Sequence, residues 1–183
     1  MTFEIVVGYW PEVDFVSEAA EKAGLRWRWA AVLDTYRPDL GSDMYYDSRL
    51  SVELIQSVLL LVRADHLKIV WDDEGEESWE QDEWPMSMKG TRWEEGFRWI
   101  TAYRQGSVVC YIELERYDRI GGPDVYHDAV VIAFYTAENL HDELLRRSQE
   151  IASRLNANLE GVRFGTALPS AKPGFWTKLK RLN

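Results

Sequence analysis

Hydrophobic positions first cluster in Phe3-Glu4-Ile5-Val6-Val7-Gly8-Tyr9-Trp10, a run apolar almost throughout and closed by Pro11, which predicts a strand covered on both faces. Asp14 is placed to cap a helix running through Ala23, with Gly24 as its stop. Arg26 to Leu33 alternates as a strand does, yet Ala30 to Leu33 would also continue a helix, so the pattern leaves both open. A polar loop with Pro38 and Gly41 follows. From Ser51 the residues Val52, Ile55, Val58, Leu59 and Val62 fall on one helical face, and the additional Leu54, Leu60 and Leu61 predict burial on most sides, as in a central core helix. His66 to Trp71 reads as a short strand.

Two alternating runs then flank Gln105-Gly106, the pattern of a tight hairpin. Pairing Tyr103 with Val108 sets Thr101 beside Cys110, Trp99 beside Ile112, Phe97 beside Leu114 and Glu95 beside Arg116. The same register pairs Arg98 with Glu113 and Ile100 with Tyr111, so an apolar face and a charge match appear together. A third strand is expected over Ala129 to Tyr135, after the Gly121-Gly122-Pro123-Asp124 turn. Thr136 or Asn139 then caps a helix striped by Leu140, Leu144, Ile151 and Leu155, and a short strand near Val162 to Thr166 leads into a basic tail. This order predicts an α+β fold: one domain over residues 1–183, with helices packed on a mostly antiparallel, twisted sheet.

Composition narrows the class of molecule. With 183 residues, 46% of them apolar, the chain is long enough to bury roughly 70% of its extended surface and needs no disulfide or metal staple. Its single cysteine, Cys110, lies in an alternating segment and reads as a small core residue. Met1 is followed by Glu4 and a short apolar run without a basic region or cleavage site, and the apolar stretch Val58 to Val62 is too short to span a bilayer; a cytoplasmic protein is expected.

Charge is the most uneven feature. The net charge is −10, and eight carboxylates fall in the twelve residues from Asp72 to Glu83, without a base among them. Without that segment the net charge would be −2. A surface so acidic repels phosphates, which argues against nucleic acid and anionic membranes as partners and favours a basic protein. The run lacks the D-x-[DN]-x-[DN]-G spacing of a calcium loop. It is expected to form an acidic loop over residues 72–84, and Trp79 and Trp84 within it are large aromatics that solvation alone does not explain. Asp72, Asp73, Glu74, Glu76, Glu77, Trp79, Glu80, Asp82, Glu83 and Trp84 therefore form the candidate partner-binding site, aromatic anchors ringed by steering charge. The tail from Lys172 to Asn183 carries four bases and no acid and is expected to dock on the protein's own acidic surface.

Catalytic signatures are absent from the sequence: it holds no G-x-S-x-G, no phosphate-binding glycine loop, no G-x-G-x-x-G after a strand and no H-E-x-x-H. Three scattered histidines do not make a metal site, and no cofactor is expected. Glu113 and Glu115 share a strand face and admit a rival reading as a small hydrolase using a nearby histidine; an effector adaptor or chaperone is a third. The opening strand ending in Gly8-Tyr9-Trp10, followed by a helix and later by a sheet and C-terminal helix, resembles the layout of immunity proteins of bacterial polymorphic-toxin and secretion-delivered toxin systems. That resemblance implies a non-enzymatic protein that binds a cognate toxin and occludes its active site or its substrate entry.

Overall fold

The computed structural model describes residues 15–35, 48–71, 75–89, 92–121, 125–157, 159 and 161–166. The strand expected over Phe3 to Trp10, the cap at Asp14 and the tail from Lys172 lie outside these residues. Helix α1 (Phe15–Lys22) stops where glycine allows it: Gly24 takes φ +75°, and the Leu25 N–H donates back to the Ala20 carbonyl at 2.8 Å. The ambiguous segment is a strand, β1 (Trp27–Thr35). It looked helical because both faces are apolar, with Trp29, Ala31 and Leu33 entering one core and Ala30 the other.

Helix α2 (Ser48–Val62) starts before Ser51, whose hydroxyl donates to the Ser48 carbonyl at 2.8 Å. Leu50, Leu54, Ile55, Val58 and Leu59 are buried, but Leu60 is 62% exposed. The expectation of burial on most sides holds except at Leu60: Val52, Leu61 and Val62 are partly buried against the same core, and of the helix only Arg49 and Leu60 are exposed.

The chain continues through β2 (His66–Trp71), β3 (Glu76–Glu80), the one-turn helices α3 (Trp84–Ser87) and α4 (Arg92–Glu95), β4 (Phe97–Arg104), β5 (Ser107–Gly121), β6 (Val125–Thr136), α5 (His141–Leu155) and β7 (Gly161–Thr166). The strands form one sheet in the order β3-β2-β4-β5-β6-β1-β7, and every neighbouring pair is antiparallel. The result is a single α+β domain. Asn139 supports the start of α5 by accepting the His141 N–H on Oδ1 at 3.0 Å, and Asn156 ends the helix with φ +51°.

The hairpin forms at the expected turn, where Gln105 and Gly106 take φ of +51° and +76° and the Gln105 N–H donates to Asp65 Oδ2 at 2.7 Å. Tyr103 pairs with Val108 as expected, but Val109 is then an extra residue, and beyond it Ala102 faces Cys110, Thr101 faces Tyr111, Ile100 faces Ile112 and Trp99 faces Glu113. A second irregularity sets Val70 opposite Trp99 and Trp71 opposite Phe97, leaving Arg98 as the extra residue. The expected register and common face are thus corrected: Phe97 enters the core beneath the helices, whereas Trp99 packs on the opposite side. Glu95 belongs to α4 rather than to the strand.

Two cores follow from this layering. On one face, α2 and α5 bring Leu54, Val58, Leu144 and Ile151 against Ile69, Phe97, Ile100, Ile112 and Phe134. Each such fully buried side chain stabilises the fold by about 1.5–3 kcal/mol. On the other face, Ala20 of α1 and Leu25 meet Ala30, Val131, Ala133 and Tyr135, with Trp99 and Tyr111 packed alongside.

Candidate functional site

Where an acidic loop was expected, the residues Glu76–Glu80 form the edge strand of the sheet. β3 pairs with β2 so that His66 faces Glu80, Leu67 faces Trp79, Lys68 faces Ser78, Ile69 faces Glu77 and Val70 faces Glu76. A strand rich in glutamate has little β-propensity of its own, and its order comes from that partner. Asp72, Asp73 and Glu74 lie outside the described residues.

Trp79 turns inward. Its ring lies 6.1 Å from Trp71 and 6.0 Å from Trp93, and Trp93 meets Trp71 edge-on at 5.1 Å and Phe97 at 5.5 Å. Arg92 caps this group with its guanidinium 4.6 Å over the Trp71 ring, and its Nη1 also pairs with Glu77 Oε1. Trp93 Nε1 donates to the Ser87 carbonyl at 3.4 Å, whereas the buried Trp71 Nε1 has no hydrogen-bond partner. Trp84 is only 5% exposed and belongs to the core with Met88, which donates its N–H to the Trp84 carbonyl at 2.8 Å. The two tryptophans expected to be free anchors instead fasten the acidic segment to the domain. The large apolar side chain left at its surface is Met86, 71% exposed.

Counter-charges come from outside the run. Lys68 Nζ lies 2.5 Å from Glu76 Oε2, and that hydrogen bond and charge raise the lysine above its ordinary titration range. His66 Nδ1 is 3.1 Å from Glu80 Oε1. Glu83 folds back so that its Oε2 accepts the Glu80 N–H at 2.7 Å, while the Glu83 N–H donates to the Glu80 carbonyl at 3.0 Å. Asp82 is exposed. Among the described residues, the two permanent cations Lys68 and Arg92 against Glu76, Glu77, Glu80, Asp82 and Glu83 still leave this end of the sheet negative.

A different polar group lies on the face away from α2 and α5. Tyr135 is fully buried; its hydroxyl accepts from Arg28 Nε at 2.9 Å and donates to Glu113 Oε2 at 3.4 Å. The hydrolase reading asked for a histidine beside Glu113. His66 lies in the row of Tyr103, four residues along β4 from Trp99, the residue opposite Glu113. At about 3.3 Å per residue that is about 13 Å. The His141 ring lies 4.1 Å from that of Phe164 of β7, tilted by 31°, and the side chains of His127 and Glu115 lie outside the described residues. Cys110 is buried, donates to the Tyr111 carbonyl at 3.3 Å and has its thiol pushed up by desolvation, which disfavours the reactive thiolate.

Among the described residues no group of three or more His, Cys, Asp or Glu side chains is arranged to hold a metal ion, and no helix is long and apolar enough to cross a membrane. No family model, curated protein or solved structure matches the chain. Lys68, His66 and Arg92 were missed by sequence reasoning. No local signal marks them: only the pairing of β2 with β3 sets His66 opposite Glu80 and Lys68 opposite Ser78, diagonally from Glu76.

Proposed function

We propose that the protein is a binding protein of the immunity type, which engages a cognate protein toxin through its acidic sheet edge and occludes the toxin's active site or substrate entry. The observation that carries this reading is that the carboxylates are mounted on an ordered strand. Glu76 and Glu80 stand exposed on β3 and Asp82 and Glu83 follow it, while Trp79 and Trp84 hold the segment against the domain. A fixed array of charge binds without the ordering cost of a solvated loop. A toxin acting on phosphodiesters or nucleotides presents a basic cleft to its substrate, and an anionic edge is drawn to such a cleft by rapid, steered association. The tryptophans contribute by holding the charges in place, and exposed Met86 supplies the apolar contact at the rim.

The test is affinity capture from the native cell, identification of the bound protein, and expression of that protein with and without this chain. Growth arrest by the partner alone, relieved by co-expression, is the expected result. A captured partner that is harmless alone, or one whose toxicity co-expression does not relieve, overturns the reading.

A further inference from the structure

Among the described residues, no strand pairs with the outer side of β3. In an antiparallel ladder, hydrogen-bonded pairs alternate with pairs whose N–H and C=O groups point away from the partner. The Trp71 N–H donates to the Gly75 carbonyl at 2.8 Å, so Ile69 with Glu77 and Leu67 with Trp79 are the bonded pairs. Glu76, Ser78 and Glu80 therefore direct their main-chain groups away from β2, over the edge of the sheet. Glu80 confirms this phase, because both its N–H and its carbonyl are taken by Glu83. Among the described residues, the outward main-chain groups of Glu76 and Ser78 meet no partner.

We infer that this open edge is a pairing site for an extended lysine- or arginine-rich strand of a partner protein. The inference rests on the proposed partner-binding role and names its geometry: the partner extends the sheet by one strand, and Glu83 marks where the added ladder ends. Charge selects the occupant. A second copy pairing antiparallel about Ser78 would set Glu76 against the other Glu80, like charges at both ends. A basic strand instead meets Glu76 and Glu80 on one face of the ladder and Glu77 on the other.

The probe is a short peptide alternating lysine with valine, titrated into the full chain in the millimolar range while backbone amides are followed by NMR. Shifts concentrated at the Glu76 and Ser78 amides are expected, with slowed hydrogen exchange there, and a glutamate–valine peptide should produce neither. Ser78→Pro removes an outward N–H at an edge position that tolerates proline and should weaken the peptide about tenfold, whereas Ser78→Ala should stay within about twofold. Amide shifts of β2 and β4 report whether the proline variant keeps its fold; where it does not, exchange at the Glu76 and Ser78 amides of the unaltered chain decides. Absence of shifts at those amides, equal binding by a folded Ser78→Pro chain, or a Ser78 amide already protected in the free monomer by the chain's own basic tail overturns the inference. Full toxin neutralisation by Ser78→Pro would sink strand pairing and leave the immunity reading standing. Peptide pairing without any toxin relieved would do the reverse.

Discussion

Two charged surfaces of this protein are built in different ways. On α5 the acids and bases alternate along one helix: Arg146 pairs with Glu143 at 2.8 Å and Glu150 at 2.5 Å, Arg147 pairs with Glu143 at 2.6 Å, and Arg154 reaches Glu53 of α2. Those charges cancel locally, three arginines against the three glutamates Glu53, Glu143 and Glu150. At the β3 edge the acids are contiguous in sequence, and their cations arrive from β2 and α4. The first arrangement stabilises a helix surface by small increments. The second leaves a net field, and it needs tertiary structure to exist at all.

The largest test of that difference is Trp93→Ala. Trp93 is 2% exposed at the centre of the aromatic group that holds β3, so its truncation should cost about 3–5 kcal/mol in chemical denaturation and make the segment around Glu76 to Glu83 the first site of proteolysis. An unchanged midpoint would show that the edge is held by other means. Next in size is the effect of charge on association. Converting Glu76, Glu77, Glu80, Asp82 and Glu83 to Gln should slow binding to the captured partner on the order of tenfold or more and flatten its salt dependence, while Arg146→Gln with Glu150→Gln should leave both alone. Equal effects from the two sets would erase the distinction between the surfaces.

Trp99→Ala should be milder than Trp93→Ala, about 1–2 kcal/mol, because Trp99 is only half-buried on the opposite face. Equivalent losses would place it in the main core. The smallest effects separate the surfaces by pH. Hydrogen bonds from Arg146 and Arg147 hold Glu143 below its ordinary 4.5, so the stability it contributes is present above that value and is lost as pH falls through the lowered one; Glu143→Gln should remove that acid-side component. Lys68 is raised above its ordinary 10.5 by Glu76, so its contribution is complete below 10.5 and fades as pH climbs through the raised value; Lys68→Met should abolish that alkaline component. Stability curves of the two variants measured against pH check both signs.

What could be read from the sequence was what local chemistry decides. The turn at Gln105-Gly106, the stop at Gly24 and the stripe of α5 each depend on a few neighbouring residues, and each is present. The hairpin register failed beyond Val109 because both faces of β4 are covered by apolar cores, so a one-residue shift exposes no hydrophobic side chain and alternation carries no warning. β3 was hidden for the opposite reason. Three of its five residues are glutamate, and only pairing with β2 makes it a strand. The acidic character of the site was plain in the sequence. The inward turn of Trp79 and the burial of Trp84 were not, since both depend on Trp71, Trp93 and Met88 arriving from other elements.

The position of β1 has a consequence for how the chain acquires its structure. Trp27 lies opposite Thr136 on one side and Thr166 on the other, so this early strand is completed by two of the latest. During synthesis, the hairpin-linked succession from β2 to β6 has its pairing partners close at hand, whereas β1 must wait, its apolar faces uncovered, for most of the chain to emerge. Closing so long a loop is entropically slow, and it makes insertion of β1 between β6 and β7 the late, aggregation-exposed step of folding. A cell that makes this protein must carry Trp27, Trp29 and Leu33 through that interval before the sheet closes over them.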